Sequence, residues 1–359
     1  MPSFNPDLFK LAREERGLSQ KALAEALKVV QSEISKVESG KKVPGEEFVG
    51  KAAAFFGYTP AFFSQADVVL PEGGIRHRKR SALSATDRAR IEAEAKARML
   101  DASALAKCQE AFASDLPARD GRDPAEMARF LRRAWSVPSG PIDNLPLLVE
   151  RHKVLILAFD FGTDLLDAFA LPQPDPDAPV CIAFNTNPAF PPDRHRFTLA
   201  HELGHVVLHR DEFADESDEK RQEEEANEFA GEFLAPESDI REDLSPPITF
   251  ARLRDLKAKW KMSMGALVHR AQDIGLLKPA ESRRIWFLFG RYGYRKREPG
   301  MGLAPEKANG IRRLLDMFRE SRGDDNLPAF LHLAQSLFEQ RYGASAAAAG
   351  NLQGAPAMT

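Results

Sequence analysis

The sequence predicts an α+β chain: an all-helical amino-terminal domain, a middle domain joining a small sheet to two long helices, and a helical carboxy-terminal region. Three observations lead there. Apolar residues recur at helical spacing through residues 6–65, with turn and cap residues between the repeats. Three short runs rich in β-branched and aromatic residues sit mid-chain between turn-rich separators. Helical periodicity then returns before residue 201 and persists, with breaks, to about residue 320.

The amino-terminal pattern predicts helices over Pro6–Arg16, Gln20–Leu27, about Gln31–Ser39, Gly45–Phe56 and Pro60–Phe63. Gly17 breaks the first, Ser19 caps the start of the second, and Gly40 ends the third. Leu23, Ala24, Leu27, Ile34 and Val37 are spaced to share one small core. The second and third helices form a helix-turn-helix arrangement, whose second member enters a DNA major groove. The residues Gly17-Leu18-Ser19-Gln20-x-x-Leu23-Ala24 and Ile34-Ser35-Lys36-x-Glu38-x-Gly40-x-x-x-Pro44 resemble the Xre or Cro-like repressor family over about residues 5–65.

That resemblance puts Gln31, Ser32, Ser35 and Lys36 on the exposed face of the recognition helix and Gln20 at the start of the helix before it. Glutamine can bond adenine edges in a bidentate way, while lysine and serine suit phosphate or guanine. The partner it implies is DNA, with a homodimer on a pseudo-palindromic site; the competing reading is a dimerisation or peptide-binding module on the same scaffold. Two residues depart from the family pattern. Lys28 stands where a turn glycine is usual, which calls for a side chain at φ > 0 or a changed turn, and Val30 stands where Ser or Thr usually caps.

Residues 66–123 read as a basic and helical linker. Arg76-His77-Arg78-Lys79-Arg80 suits either a phosphate backbone or plain solvation, and Ile91, Ala95, Met99 and Leu105 predict a connecting helix within Ser84–Phe112. Pro117 to Pro124 marks the next boundary.

The expected middle domain, 124–240, opens with helices at Pro124–Trp135 and Leu145–Arg151 and strands at Val154–Phe159, Asp167–Leu171 and Val180–Asn185. Pro172 to Pro179 reads as an exposed loop. A helix then carries His201-Glu202-Leu203-Gly204-His205. Positions i and i+4 stack on one helix face, so both imidazoles can reach one ion at about 2.0–2.1 Å. Glu202 sits one step round the helix, placed to take a proton from metal-bound water without ligating. A third protein ligand is needed, and Glu223 on the next helix, followed by Asn227 on the same face, is the choice. Asn227 can bond a ligating imidazole and set its tautomer. Glu224 and Glu225 read as a solvated acidic face, although the run of three glutamates leaves the register open by one. His209 lies about 12 Å along the helix from His201. It therefore reads as a packing or hydrogen-bonding residue rather than a ligand.

The run Arg196-Phe197-Thr198-Leu199-Ala200-His201-Glu202-Leu203-Gly204-His205, with Glu223-x-x-Ala226-Asn227-x-Phe229-Ala230 and Leu234-x-Pro236, resembles the ImmA/IrrE metallopeptidase family. Trp135-Ser136-Val137-Pro138-x-Gly140-Pro141-Ile142 and Trp260-Lys261-Met262-Ser263-Met264-x-Ala266-Leu267 extend the resemblance over roughly residues 125–300. It implies a minimal gluzincin-like peptidase fold of small sheet plus zinc helices, with Zn2+ on His201, His205 and Glu223 and Glu202 as general base. It also implies a protein substrate, such as a repressor cleaved in a bacterial stress or mobile-element response. An edge strand beside such a helix is where metallopeptidases commonly add an extended substrate. The competing class is an Xre-type regulator whose peptidase-like domain senses a ligand or partner without proteolysis.

Residues 241–343 predict helices at Phe250–Trp260, Ser263–Gly275, Ser282–Tyr292 and Ala308–Glu320, with Arg295-Lys296-Arg297 as a charged segment end. Residues 344–359, rich in Ala, Gly and Pro, predict a disordered tail. The acidic stretch Asp211–Glu228 reads as a solvated loop. The chain of 359 residues has room for two to three domains. Its net charge of −3 supplies no global attraction for nucleic acid, so DNA binding needs a local basic face. No apolar run approaches a membrane span and no secretory signal is evident, which predicts a cytoplasmic protein with no membrane partner. Cys108 and Cys181 lack CxxC spacing and read as reduced thiols outside the metal site.

Overall fold

The computed structural model describes residues 4–71, 75, 83–108, 116–117, 121–173, 178–210, 218–295, 297–299, 303–323 and 326–343. The basic run Arg76–Arg80, Lys296, the loop centre 174–177, the acidic segment 211–217 and the tail 344–359 lie outside the described residues.

In chain order the first helices are α1 (Pro6–Glu15), α2 (Gln20–Leu27), α3 (Gln31–Glu38) and α4 (Glu46–Phe56), followed by a 3-10 turn at Pro60–Ser64. Next come α5 (Ala85–Lys107), α6 (Pro124–Ala134), α7 (Leu145–Arg151), β1 (Val154–Phe159), β2 (Ala168–Ala170) and β3 (Val180–Asn185). The remainder is helical: α8 (Pro192–His209), α9 (Glu219–Leu234), α10 (Glu237–Ile240), α11 (Phe250–Trp260), α12 (Met264–Asp273), α13 (Pro279–Arg291), α14 (Gly310–Arg322), α15 (Leu327–Phe330) and α16 (Gln335–Tyr342). The α+β expectation holds, with a helix-turn-helix region followed by a small sheet, paired helices and a helical carboxy-terminal region. No described helix is long and apolar enough to cross a membrane.

The chain divides into two compact units, each discontinuous in sequence: residues 1–114, 153–186 and 308–359 in the first, and 115–152 and 187–307 in the second. In the first unit, Leu23, Ala24, Leu27, Ile34 and Val37 are all buried, as their spacing predicts. They belong to a larger core with Ile91 and Met99 of α5, Leu155 and Leu157 of β1, and Leu315 and Phe318 of α14. Lys28 ends α2 in the left-handed region at φ 57, ψ 44, so the turn keeps its glycine-like backbone with a lysine in it. Ser19 caps α2 through its side chain, whereas Val30 offers α3 no side-chain cap.

Among the described residues the sheet has strand order β1-β3-β2. β3 runs parallel to β1, from Val154 opposite Val180 to Phe159 opposite Asn185, and antiparallel to β2. β1 and β3 are buried along almost their whole length, as expected of strands covered on both faces. β3, the strand that leads toward α8, is therefore central, and the sheet edges are β1 and β2; a substrate strand cannot add beside it.

In the second unit, α8 is held from several sides. Arg196 pairs with Glu306 and donates to the Ile142 carbonyl at 2.6 Å, while Asp193 accepts from Lys257 Nζ at 2.8 Å. α9 is anchored at its far end, where Arg132 of α6 donates to the Phe233 carbonyl at 2.8 Å. Glu232 there accepts from Arg129 at 3.1 Å and pairs with Arg270.

Candidate metal centre and nucleic-acid interface

From Leu199 to His209 every residue of α8 is buried. An entirely buried helix segment ordinarily carries apolar side chains, because a buried polar group without partners costs free energy. This one carries His201, Glu202, His205 and His209 in that stretch. The histidines find partners on α9, which runs against it. Gly204 makes the approach close: a Cβ there would meet Phe229 Cδ1 at 3.0 Å and the Ala226 backbone at 3.3 Å. With Gly204 beside His205, and Ala226 one turn after Glu223, the two backbones come near enough for a carboxylate on α9 to reach imidazoles on α8.

His201, His205 and Glu223 form a group whose ligand atoms all lie within 4.8 Å of one another. His205 Nε2 lies 3.1 Å from His201 Nε2 and 3.2 Å from Glu223 Oε1, and His201 Nε2 lies 3.5 Å from Glu223 Oε2. Donors bound tetrahedrally to one zinc at about 2.0–2.2 Å stand roughly 3.3 Å apart. The three spacings bracket that value, so this donor set fits zinc with a coordination position left over. Burial works against the Glu223 carboxylate, but hydrogen bonds and charge from His201 and His205 outweigh it and hold its pKa far below the usual range.

Around the three donors, His201 Nδ1 lies 3.0 Å from Asn227 Oδ1. With Nε2 turned to a metal, the Nδ1–H donates to that amide oxygen. Glu202 is buried at 2 % exposure beside His201 in the chain. Glu224 points outward and pairs with Lys220 at 3.7 Å, in keeping with a solvated face. Glu225 does not: its carboxylate accepts from Arg221 at 2.8 and 2.9 Å and lies 2.7 Å from His209 Nε2. The reading of Glu225 as a solvated acid is thus corrected. The signal that could have found it is the coincidence of two i,i+4 pairs, His205 with His209 and Arg221 with Glu225, on adjacent helices. His209 itself lies against His205, Nδ1 to Nδ1 at 3.1 Å, as a hydrogen-bonding residue.

In the first unit, Gln31, Ser32 and Lys36 are exposed on α3, and Ser35 and Gln20 are half-buried. Gln31 Nε2 donates to Gln20 Oε1 at 2.7 Å, and Gln20 Nε2 donates to Glu38 Oε2 at 2.8 Å. Glu38 is itself held by Arg13 of α1. Three helices thereby orient the Gln31 amide on an exposed face.

Residues 149–272 match the family model of the IrrE N-terminal-like domain, a peptidase family, and residues 9–63 match the helix-turn-helix family model. A comparison with curated proteins finds no match.

Proposed function

Starting from a chain that carries both a helix-turn-helix domain and an IrrE-like domain of a peptidase family, we propose that it is a DNA-associated zinc endopeptidase that cleaves a regulatory protein such as a repressor. The observation that carries this reading is the trio His201, His205 and Glu223 at tetrahedral spacing, with Glu202, the next residue after His201, buried on the same helix. Zinc bound there supplies Lewis-acid polarisation of a carbonyl and lowers the pKa of water toward about 7. His201 and His205 lend Nε2, and Asn227 Oδ1 holds the His201 proton on Nδ1. Glu202 takes the proton of the attacking water on a carboxylate oxygen and delivers it to the departing amine nitrogen. Burial keeps bulk water from competing for that proton and strengthens each of these contacts.

The amino-terminal domain supports DNA binding. In this reading Gln31, Ser32, Ser35 and Lys36 face the duplex as part of a homodimer, with Gln20 bracing Gln31. Binding at an operator raises the effective concentration of a repressor loop at the same site.

The test uses the full chain as wild type, Glu202→Gln, His201→Ala and Gln31→Ala. Elemental analysis should find zinc in the wild type and Glu202→Gln but little in His201→Ala. Profiling of new protein N-termini in expressing cells should show cuts made by the wild type alone of the first three. Gln31→Ala should keep its zinc and lose sequence preference on DNA. Wild-type zinc content in His201→Ala, and again in His201→Ala/His205→Ala, would sink the site. Zinc without any wild-type-dependent cut would favour a regulator that senses through a peptidase-like domain.

A further inference from the structure

We propose that His209, Glu225 and Arg221 form a hydrogen-bonded strut that fixes the ring and tautomer of His205, and so act as positioning residues for the metal centre. The proposal rests on the reading of His205 as a metal ligand. His205 and His209 are both fully buried, one helical turn apart on α8, with their Nδ1 atoms 3.1 Å apart. Two facing Nδ1 atoms bond only if one carries a proton and the other a lone pair. The far end of the chain decides which is which. His209 Nε2 lies 2.7 Å from Glu225 Oε2, and that carboxylate is clamped through both oxygens by Arg221 Nη1, whose Nε in turn donates to Asp218 at 2.8 Å.

A carboxylate only accepts, so His209 must present an Nε2–H toward it. A neutral His209 then has a lone pair on Nδ1. That lone pair accepts the Nδ1–H of His205, and the His205 lone pair is left on Nε2. Nε2 is the atom that lies 3.1 Å from His201 Nε2 and 3.2 Å from Glu223 Oε1. For a neutral His209 the opposite polarity would set its Nε2 lone pair against a carboxylate oxygen at 2.7 Å, two acceptors in contact. A doubly protonated His209 would offer no lone pair to the Nδ1–H that His205 carries when its Nε2 holds a metal. The strut therefore aims the one lone pair a metal needs, and it uses a second buried histidine to carry the orienting effect of a carboxylate across one helical turn.

The experiment compares full-length wild type with His209→Leu, His209→Asn, Glu225→Ala and the double variant His209→Leu/Glu225→Ala. The probes are Zn2+ and Co2+ added to metal-free protein, with thermal melting of each metal-free variant as the control for folding. His209→Leu should weaken metal binding by about 10–100-fold and change the Co2+ ligand-field spectrum. His209→Asn, which keeps an oxygen acceptor near the Nδ1 position, should recover much of that loss. Glu225→Ala should cost less, and adding it to His209→Leu should cost nothing further, because Glu225 acts through His209. In zinc-loaded wild type, histidine 15N shifts should place the proton of His209 on Nε2 and that of His205 on Nδ1. A His209 proton found on Nδ1, or His209→Leu binding metal as tightly as wild type, overturns the strut alone. Equal losses in His209→Asn and His209→Leu would mean that His209 only packs, and would overturn it too. Wild type that binds neither metal overturns the ligand reading and the strut with it.

Discussion

Glu223, Glu224 and Glu225 follow one another in the chain, yet each meets a different environment: two imidazoles, solvent beside Lys220, and the His209–Arg221 pair. Successive residues on a helix point about a quarter-turn apart, so only one of three can face a given site. Glu223→Ala should abolish tight zinc binding, whereas Glu224→Ala should leave affinity and melting temperature unchanged within error. Competition with a chelator measures both; equal losses at the two positions would show that the ligand is misassigned. His201 and His205 were legible because an i,i+4 histidine pair on a helix has few other uses. The choice among the glutamates was not legible with the same force, because the rotation of α9 about its axis relative to α8 is a packing outcome. The rise of the helix alone excludes His209 as a ligand and leaves packing or hydrogen bonding open; its partners depend on the placement of α9.

At the level of elements, the approach of α8 and α9 is set by small residues. Gly204→Ala would place a Cβ 3.0 Å from the Phe229 ring and 3.3 Å from backbone of Ala226. Neither the Ala226 backbone nor the packed ring can yield freely, so the helices must separate, at a cost of about 1–3 kcal/mol. Because both helices carry donors, Gly204→Ala should lower zinc affinity as well as melting temperature; a variant that binds zinc normally would show the spacing to be uncritical. The reader helix offers a gain instead. Val30 is 66 % exposed and gives α3 no cap, so Val30→Ser should stabilise the protein by about 0.5–2 kcal/mol. Urea denaturation checks it, and no gain would mean that Val30 serves a contact beyond the helix start. The departures at Lys28 and Val30 could be read from the sequence because caps and left-handed turns are local chemistry. Lys28 adopts φ 57 because the tertiary core built on Leu27 and Val29 holds the turn in place against a modest steric cost.

On the scale of the whole chain, the first unit is tied by Arg341 near its carboxy-terminal end. Arg341 bonds Glu15 of α1, Tyr58 after α4 and Asp101 of α5, and Tyr342 adds a 2.7 Å bond to Asp101. The three partners of Arg341 are buried, and Tyr58 also donates to Glu15 at 2.7 Å. Arg341→Met would strand two buried carboxylates and should cost about 3–5 kcal/mol, the usual penalty for removing one partner of a buried ion pair. DNA binding should fall with it at moderate temperature while the zinc content of the second unit persists. Melting curves and metal analysis on one preparation measure both, and an unchanged melting curve would refute the tie. The same contacts advise against testing DNA binding on a fragment ending near residue 80, since α1 and Tyr58 would lose buried partners.

The sequence alone determined what local chemistry determines. Helix periods, the cap at Ser19, and the short apolar runs between turn-rich separators placed most helices and all three described strands within a few residues of their observed bounds. The HExxH spacing brought His201 and His205 onto one face for the same reason: one helix suffices. What required the tertiary structure was everything shared between elements distant in the chain. The central position of β3, the packing of β1 and α14 into the helix-turn-helix core, the bond from Arg341 to Glu15, and the turn of α9 that aims Glu223 and Glu225 at different histidines all belong to this class. Those arrangements depend on the summed burial and pairing of many side chains across long loops, and no single window of sequence carries that sum.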